Sequence, residues 1–184
     1  MDDMLKEALR LRKLGFAIHW LRPRSKIPVG DNWAHAPVMD EKTLKATYRP
    51  GYNVGFRPGR SSVVQGKEVC VLDVDIRGGP LYAEEAYAAA AAMMGEHKFT
   101  VISGSDIGRH RYLGFDIGKS PAKAATTLRK SDIWVDRDDF TLCDAHAPNA
   151  APAWLIEILS TGKNVVLPPS IHPDTGNPYK FETV

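Results

Sequence analysis

Cysteine is scarce in this chain: Cys70 and Cys143 are the only two. Two thiols cannot form a disulfide framework, so a reducing, cytoplasmic setting is expected. Long apolar runs are missing as well. None approaches the roughly 20 residues needed to cross a bilayer, so no membrane association is expected. The N-terminus, Met1-Asp2-Asp3-Met4, lacks the basic-then-apolar layout of a secretory signal. No two histidines are spaced as His-x-His, which argues against metal-dependent rolling-circle initiators and relaxases. There is no serine nucleophile elbow. Gly114-x-x-x-Gly118-Lys119-Ser120 is one residue short of a P-loop, and the stretch from Gly59 to Gly66-Lys67 is too long and runs into Glu68. Cys143-x-x-His146 is half a zinc site with no obvious other half. Charge of one sign is lacking too, with 24 Lys plus Arg against 22 Asp plus Glu.

What is present suits a single domain of 184 residues, 43% hydrophobic and 25% charged. The charges cluster. Arg22, Arg24 and Lys26 lie together, as do Arg57 with Arg60, Arg109 with Arg111, and Arg129 with Lys130; acids gather at Asp73 and Asp75 and at Asp136, Asp138 and Asp139. Such a distribution suits an anionic ligand held with divalent metal, although a solvated mixed-charge surface would look alike. Periodicity predicts helices over 2–14, 40–47 and 80–94, with Asp2, Asp3 and Asp40 at their starts and Gly15 and Gly95 at two of their ends. Strands are predicted over 16–21, 53–57, 68–75, 99–103, 110–115, 154–159 and 164–167. Residues 118–152 show weak periodicity interrupted by prolines. The fold class is α/β (α+β).

Glu68-Val-Cys-Val-Leu-Asp-Val-Asp75 is a near-continuous apolar run ending in two acids, the pattern of a central strand buried on both faces. Alternation points Asp73 and Asp75 to one face. Two carboxylates there repel and desolvate one another unless a cation neutralises them, and carboxylates suit Mg²⁺ or Mn²⁺. A strand end meeting solvent, with Arg77 as partner, is the plainer alternative. Glu157 is the preferred third acid, because Trp154-Leu-Ile-Glu-Ile-Leu159 is an apolar strand in which a lone charge needs a reason. Asp136 and Asp138 lie in a charged, loop-like stretch where hydration suffices.

Two segments carry groups fit for a triphosphate. Ser103-Gly104 and Gly108-Arg109-His110-Arg111 bring flexible backbone and donors between two strands. Val165-Val-Leu-Pro-Pro-Ser170-Ile-His172 runs a strand into a stiff corner that presents Ser170 and His172. Each segment would also serve as an ordinary hairpin or corner.

In order, these pieces resemble the bifunctional DNA primase/polymerase (prim-pol) family of the archaeo-eukaryotic primase superfamily. The resemblance rests on Gly15, Lys26-Ile-Pro28, Trp33, Asn53-Val-Gly55, Leu72-Asp-Val-Asp75, Ser103-Gly104, His110-Arg-Tyr112, Glu157, Val165-Val-Leu-Pro-Pro-Ser170, His172, Gly176 and Tyr179. It implies an RRM-like mixed catalytic sheet beside a smaller N-terminal α/β lobe. It also implies Asp73, Asp75 and Glu157 as ligands of two Mg²⁺ or Mn²⁺ ions, and His110 as a phosphate contact helped by Arg109, Ser103, Ser170 or His172. Lys26, Arg24, Arg111 and Asn53 are the expected template or phosphate contacts. Two departures stand out: Gly108, not serine, precedes His110 by two, and the third acid is a glutamate where the family usually has aspartate. The implied activity is template-dependent nucleotidyl transfer from dNTPs or NTPs on single-stranded DNA, for primer synthesis and extension in plasmid, phage or mobile-element replication. A helicase, as a following domain or a separate protein, is an expected partner. A non-catalytic nucleotide or single-strand binding module and a metal-dependent nuclease are the alternatives.

Overall fold

Asp2 starts the first helix, its carboxylate accepting from the Met4 N–H, and Gly15 stops it at φ 111°. A Cβ on Gly15 would run into the Val63 carbonyl, so glycine alone lets the chain turn there into the first strand. The computed structural model describes residues 2–95 and 100–182. Its elements in chain order are α1 (Asp3–Leu14), β1 (Ile18–Leu21), α2 (Glu41–Thr47), β2 (Asn53–Phe56), β3 (Gly59–Val64) and β4 (Lys67–Ile76). A 3₁₀ turn at Pro80–Tyr82 leads into α3 (Ala83–Met94). Then come β5 (Val101–Ile102), β6 (Arg109–Asp116), β7 (Ala125–Lys130), β8 (Trp134–Asp136), β9 (Ala150–Pro152), β10 (Trp154–Leu159), β11 (Val165–Val166) and β12 (Lys180–Phe181). The expected strand over 99–103 is shorter, and Phe99 lies outside the described residues.

The large sheet runs β12-β5-β6-β4-β10-β7, with β3 also pairing β4; β1-β2-β11 form a second sheet and β8-β9 a ribbon. The expectation of a mixed sheet is corrected: among the described residues every ladder is antiparallel. After β4, helix α3 returns the chain to β5 in β4's direction, but β6 inserts between the two, so no parallel ladder forms. That order, β5-β6-β4-β10, is the RRM-like part of an α+β fold. No helix among the described residues is long and apolar enough to cross a membrane.

β4 sits between β6 and β10 and divides the core. Leu72 and Val74, with Trp154 and Ile156 of β10, pack on one face against Ala86, Ala89 and Ala90 of α3. Val69 and Val71 on the other face pack against Ala8 and Leu11 of α1, Ile18 and Trp20 of β1, and Phe56 of β2. The N-terminal lobe thus covers the first half of that second face. Its remaining half, where Asp73 and Asp75 project, is left for chemistry.

Candidate active site

The register of β4 with its neighbours sets the floor of the site. Asp73 lies opposite Glu157 on β10 and opposite His110 on β6, and Asp75 lies opposite Leu155. Residues directly opposite one another in antiparallel strands share a face. Glu157, Asp73 and His110 therefore stand abreast across three strands, with Asp75 one step along on the same side. α3 seals the reverse face, so the row has a dry apolar backing and a polar front.

The side chains in this row have partners. His110 Nε2 lies 3.3 Å from Asp73 Oδ1, while His110 Nδ1 is buried and has no hydrogen-bond partner among the described residues. Arg77 Nε donates to Asp75 Oδ2 at 2.8 Å, and Thr127 Oγ1 donates to Glu157 Oε1 at 3.1 Å. Among the described residues, no three His, Cys, Asp or Glu side chains sit close enough to form a ready-made ion site. The donor set still fits Mg²⁺ or Mn²⁺: three hard carboxylates share one face on adjacent strands, and among the described residues Asp73 pairs with no lysine or arginine.

Two turns and one loop raise a wall beside the β5–β6 edge of this floor. In the 103–108 turn, Ser103 Oγ and Ser105 Oγ are 2.7 Å apart, and Gly108 N donates to Ser105 Oγ. A Cβ on Gly108 would stand only 3.1 Å from Ser103 Oγ, so the Ser103 hydroxyl fills the space beside Gly108. Gly104 packs so closely on His172 and Asn177 that a side chain could not fit, and Thr175 Oγ1 donates to the Gly104 carbonyl at 2.7 Å. The two turns are thereby locked together. His172 Nδ1 accepts long bonds from the N–H groups of Asp174 (3.3 Å) and Thr175 (3.4 Å), which leaves the proton on Nε2. Burial and the nearby Lys26 lower the His172 pKa, keeping the ring neutral. Burial, with Asp73, Asp174 and Asp75 nearby, pushes the Tyr179 phenol well above its usual range, so it remains a donor. Together with Lys26 and Arg77, these groups line a cleft of about 490 Å³, within the range of small-molecule sites.

Several residues singled out in the sequence fall elsewhere. Arg109 and Arg111 alternate with His110 and face the α3 side; the Arg109 guanidinium lies 5.3 Å over the Tyr87 ring and donates to the Asp106 and Gly108 carbonyls. Ser170 is fully buried, accepting from Val54 N and donating to Val54 O, so it ties the 168–172 corner to β2 without reaching the cleft. Asn53 is 1% exposed, and its amide bonds the backbone of Ser25 and Ile171. These two polar groups position the wall. Exposed Arg24 approaches Gly176 at the wall's outer edge. Of the residues singled out in the sequence, the structure brings Asp73, Asp75, His110, Ser103, His172 and Lys26 to the cleft, while Glu157 stands beside Asp73 on β10, outside the cleft lining.

Ser105, Thr175 and Phe140 also line the cleft, and the sequence reading did not single them out. Ser105 and Thr175 are small polar residues in turns, which carry no distinguishing signal; Phe140 is an aromatic in an otherwise acidic stretch, a signal that periodicity does not register. A comparison with curated proteins finds no match. The family model described as bifunctional DNA primase/polymerase, N-terminal, matches residues 8–183, which takes in both lobes, the carboxylate strand, both turns and β12. With nearly its whole length matched, the chain belongs to the bifunctional DNA primase/polymerase family.

Proposed function

We propose that this chain is a DNA primase/polymerase that transfers nucleotides from dNTPs or NTPs to a primer on a single-stranded DNA template, in the cytoplasm and in the replication of a plasmid, phage or mobile element. The observation that carries this reading is the register that sets Glu157, Asp73 and His110 abreast with Asp75 beside them. Asp73, Asp75 and Glu157 would hold two Mg²⁺ or Mn²⁺ ions, whose chemistry is to acidify the attacking 3′-hydroxyl and neutralise the leaving pyrophosphate. The triphosphate is received by the wall. His172 offers Nε2–H, Ser103 and Ser105 offer hydroxyls, and Lys26 offers a full charge. The Ser103 hydroxyl beside Gly108 takes the place of a serine two residues before His110. His110 spans floor and wall, in contact with Asp73 and 6.3 Å from the Tyr179 ring.

The ion pair of Asp75 with Arg77 favours a second reading, a nucleotide-binding module without catalysis, because it withdraws one carboxylate from the row. Incubation with template, labelled nucleotides and Mn²⁺ separates the two. A polymerase lengthens a primer and makes dinucleotides; a binding module leaves no product, and a nuclease shortens the template. Asp73→Ala should abolish synthesis and extension with an unchanged melting temperature. Full activity in that variant removes the assignment.

A further inference from the structure

The segment joining β8 to β9 reaches the cleft through Phe140, which forms its second wall. The Arg77 and Gly78 N–H groups both donate to the Ala153 carbonyl, and Ala153 N donates to Ile133 O, so the ribbon grows from the end of β4 where Asp75 sits. Just past β8, and well before β9, the chain turns back tightly over residues 136–141 to pair Leu142 with Val135. Phe140 N donates to Asp136 O, Asp136 N donates to Thr141 O, and Asp138 N and Thr141 N are held by the Asp136 and Asp139 carboxylates. Within that frame Phe140 sits at φ 62° and is 55% exposed. A bulky aromatic in the left-handed region is uncommon and strained. Of the large apolar side chains exposed among the described residues, Phe140 is the one that lines the cleft. Neither packing nor backbone preference accounts for it.

We infer that Phe140 is the stacking platform for the base of the nucleotide held in this cleft, opposite the wall that receives its phosphates. This rests on the reading of the cleft as a nucleotide site. The phosphate-directed groups (His172, Ser103, Ser105 and Lys26) come from the 103–108 turn, the 170s turn and the loop after β1, whereas Phe140 comes from the segment between the two strands of the ribbon anchored beside Arg77. A nucleotide spanning the floor offers its charged end to the first wall and its flat, apolar end to the second. An aromatic face accepts any base, as a template-directed site requires, because pairing and not the pocket then selects the base.

Calorimetric titration of the Mg²⁺-loaded protein with an α,β-imido nucleoside triphosphate and with inorganic tripolyphosphate tests this. The wild type should bind the nucleotide more tightly than tripolyphosphate. Phe140→Ala and Phe140→Gly should lose about 5- to 150-fold in nucleotide affinity, the range for losing one base–aromatic stack, and keep their tripolyphosphate affinity. Phe140→Trp should restore the nucleotide affinity. The glycine variant should melt no lower than wild type, since glycine suits φ 62°, whereas a structural role for the ring predicts a lower melting temperature. An unchanged nucleotide preference in Phe140→Ala overturns the inference, as does an equal loss for both ligands. Each of those outcomes leaves the cleft a nucleotide site. A wild type that binds neither nucleotide nor tripolyphosphate overturns the inference together with the reading beneath it.

Discussion

Single residues carry charge states that neighbours dictate. His19 is 5% exposed in the N-terminal lobe, its ring stacked on Trp33 and its Nε2 2.7 Å from Asn164 Oδ1. Burial outweighs the Asn164 bond and lowers its pKa to about 4, against 6.5 when solvated. The unfolded chain therefore binds the proton first as the pH falls. The stability this histidine contributes is complete above pH 6.5 and is lost progressively down to about pH 4, by at most about 3 kcal/mol. Urea unfolding across that window should show the slope in wild type and a flatter one in His19→Gln, which can still donate to Asn164. An identical slope in both would place the titrating group elsewhere. The same scale explains why Asp73 and Asp75 are legible as a pair while the side of the sheet that Arg109 takes is not. Alternation along one strand is certain from sequence, but which face carries the site depends on what packs beneath, and α3 lies on the side of Arg109.

Elements set where those residues meet. The apolar run of β4, its two flanking strands and the capped helices could be read in advance because periodicity and caps are local signals. The pairing of Glu157 with Asp73 rests in the sequence on burial and on the family resemblance, since register is a property of two strands, and the bulge in β7 that places Ile156 opposite Arg129 and Glu157 opposite Thr127 leaves no mark in the residue pattern. β3, β7, β8 and β9 are not legible because their alternation is weak and prolines interrupt the stretch that holds the last three. Ser170 illustrates the difference between a polar residue in a site and one beneath it. Its hydroxyl satisfies both Val54 backbone groups, so Ser170→Ala leaves a buried N–H unpaired and should cost about 1–3 kcal/mol. Chemical denaturation should register that loss while the KM for nucleotide stays within twofold. A large rise in KM at unchanged stability would return Ser170 to the contact set.

At the scale of the molecule, a net charge of +2 conceals a directional surface. Arg22, Arg24 and Lys26 are exposed in one loop, and Lys26 reaches the cleft. If this loop tracks the template, each phosphate it neutralises adds about 0.7 to the salt slope of single-strand binding. Replacing all three by alanine should lower that slope by about two, measured by fluorescence anisotropy of a labelled oligonucleotide from low to moderate salt; an unchanged slope assigns the template to another face. The architecture as a whole supports one idea, that strands from distant parts of the chain bring three carboxylates to a common face so that divalent ions can be shared there. Titration with Mn²⁺ followed by electron paramagnetic resonance tests it without relying on turnover. About two ions per chain should bind in the wild type with nucleotide present, and Asp73→Asn and Glu157→Gln should each weaken binding by roughly tenfold or more. Mn²⁺ binding that is indifferent to Glu157→Gln would contradict the account.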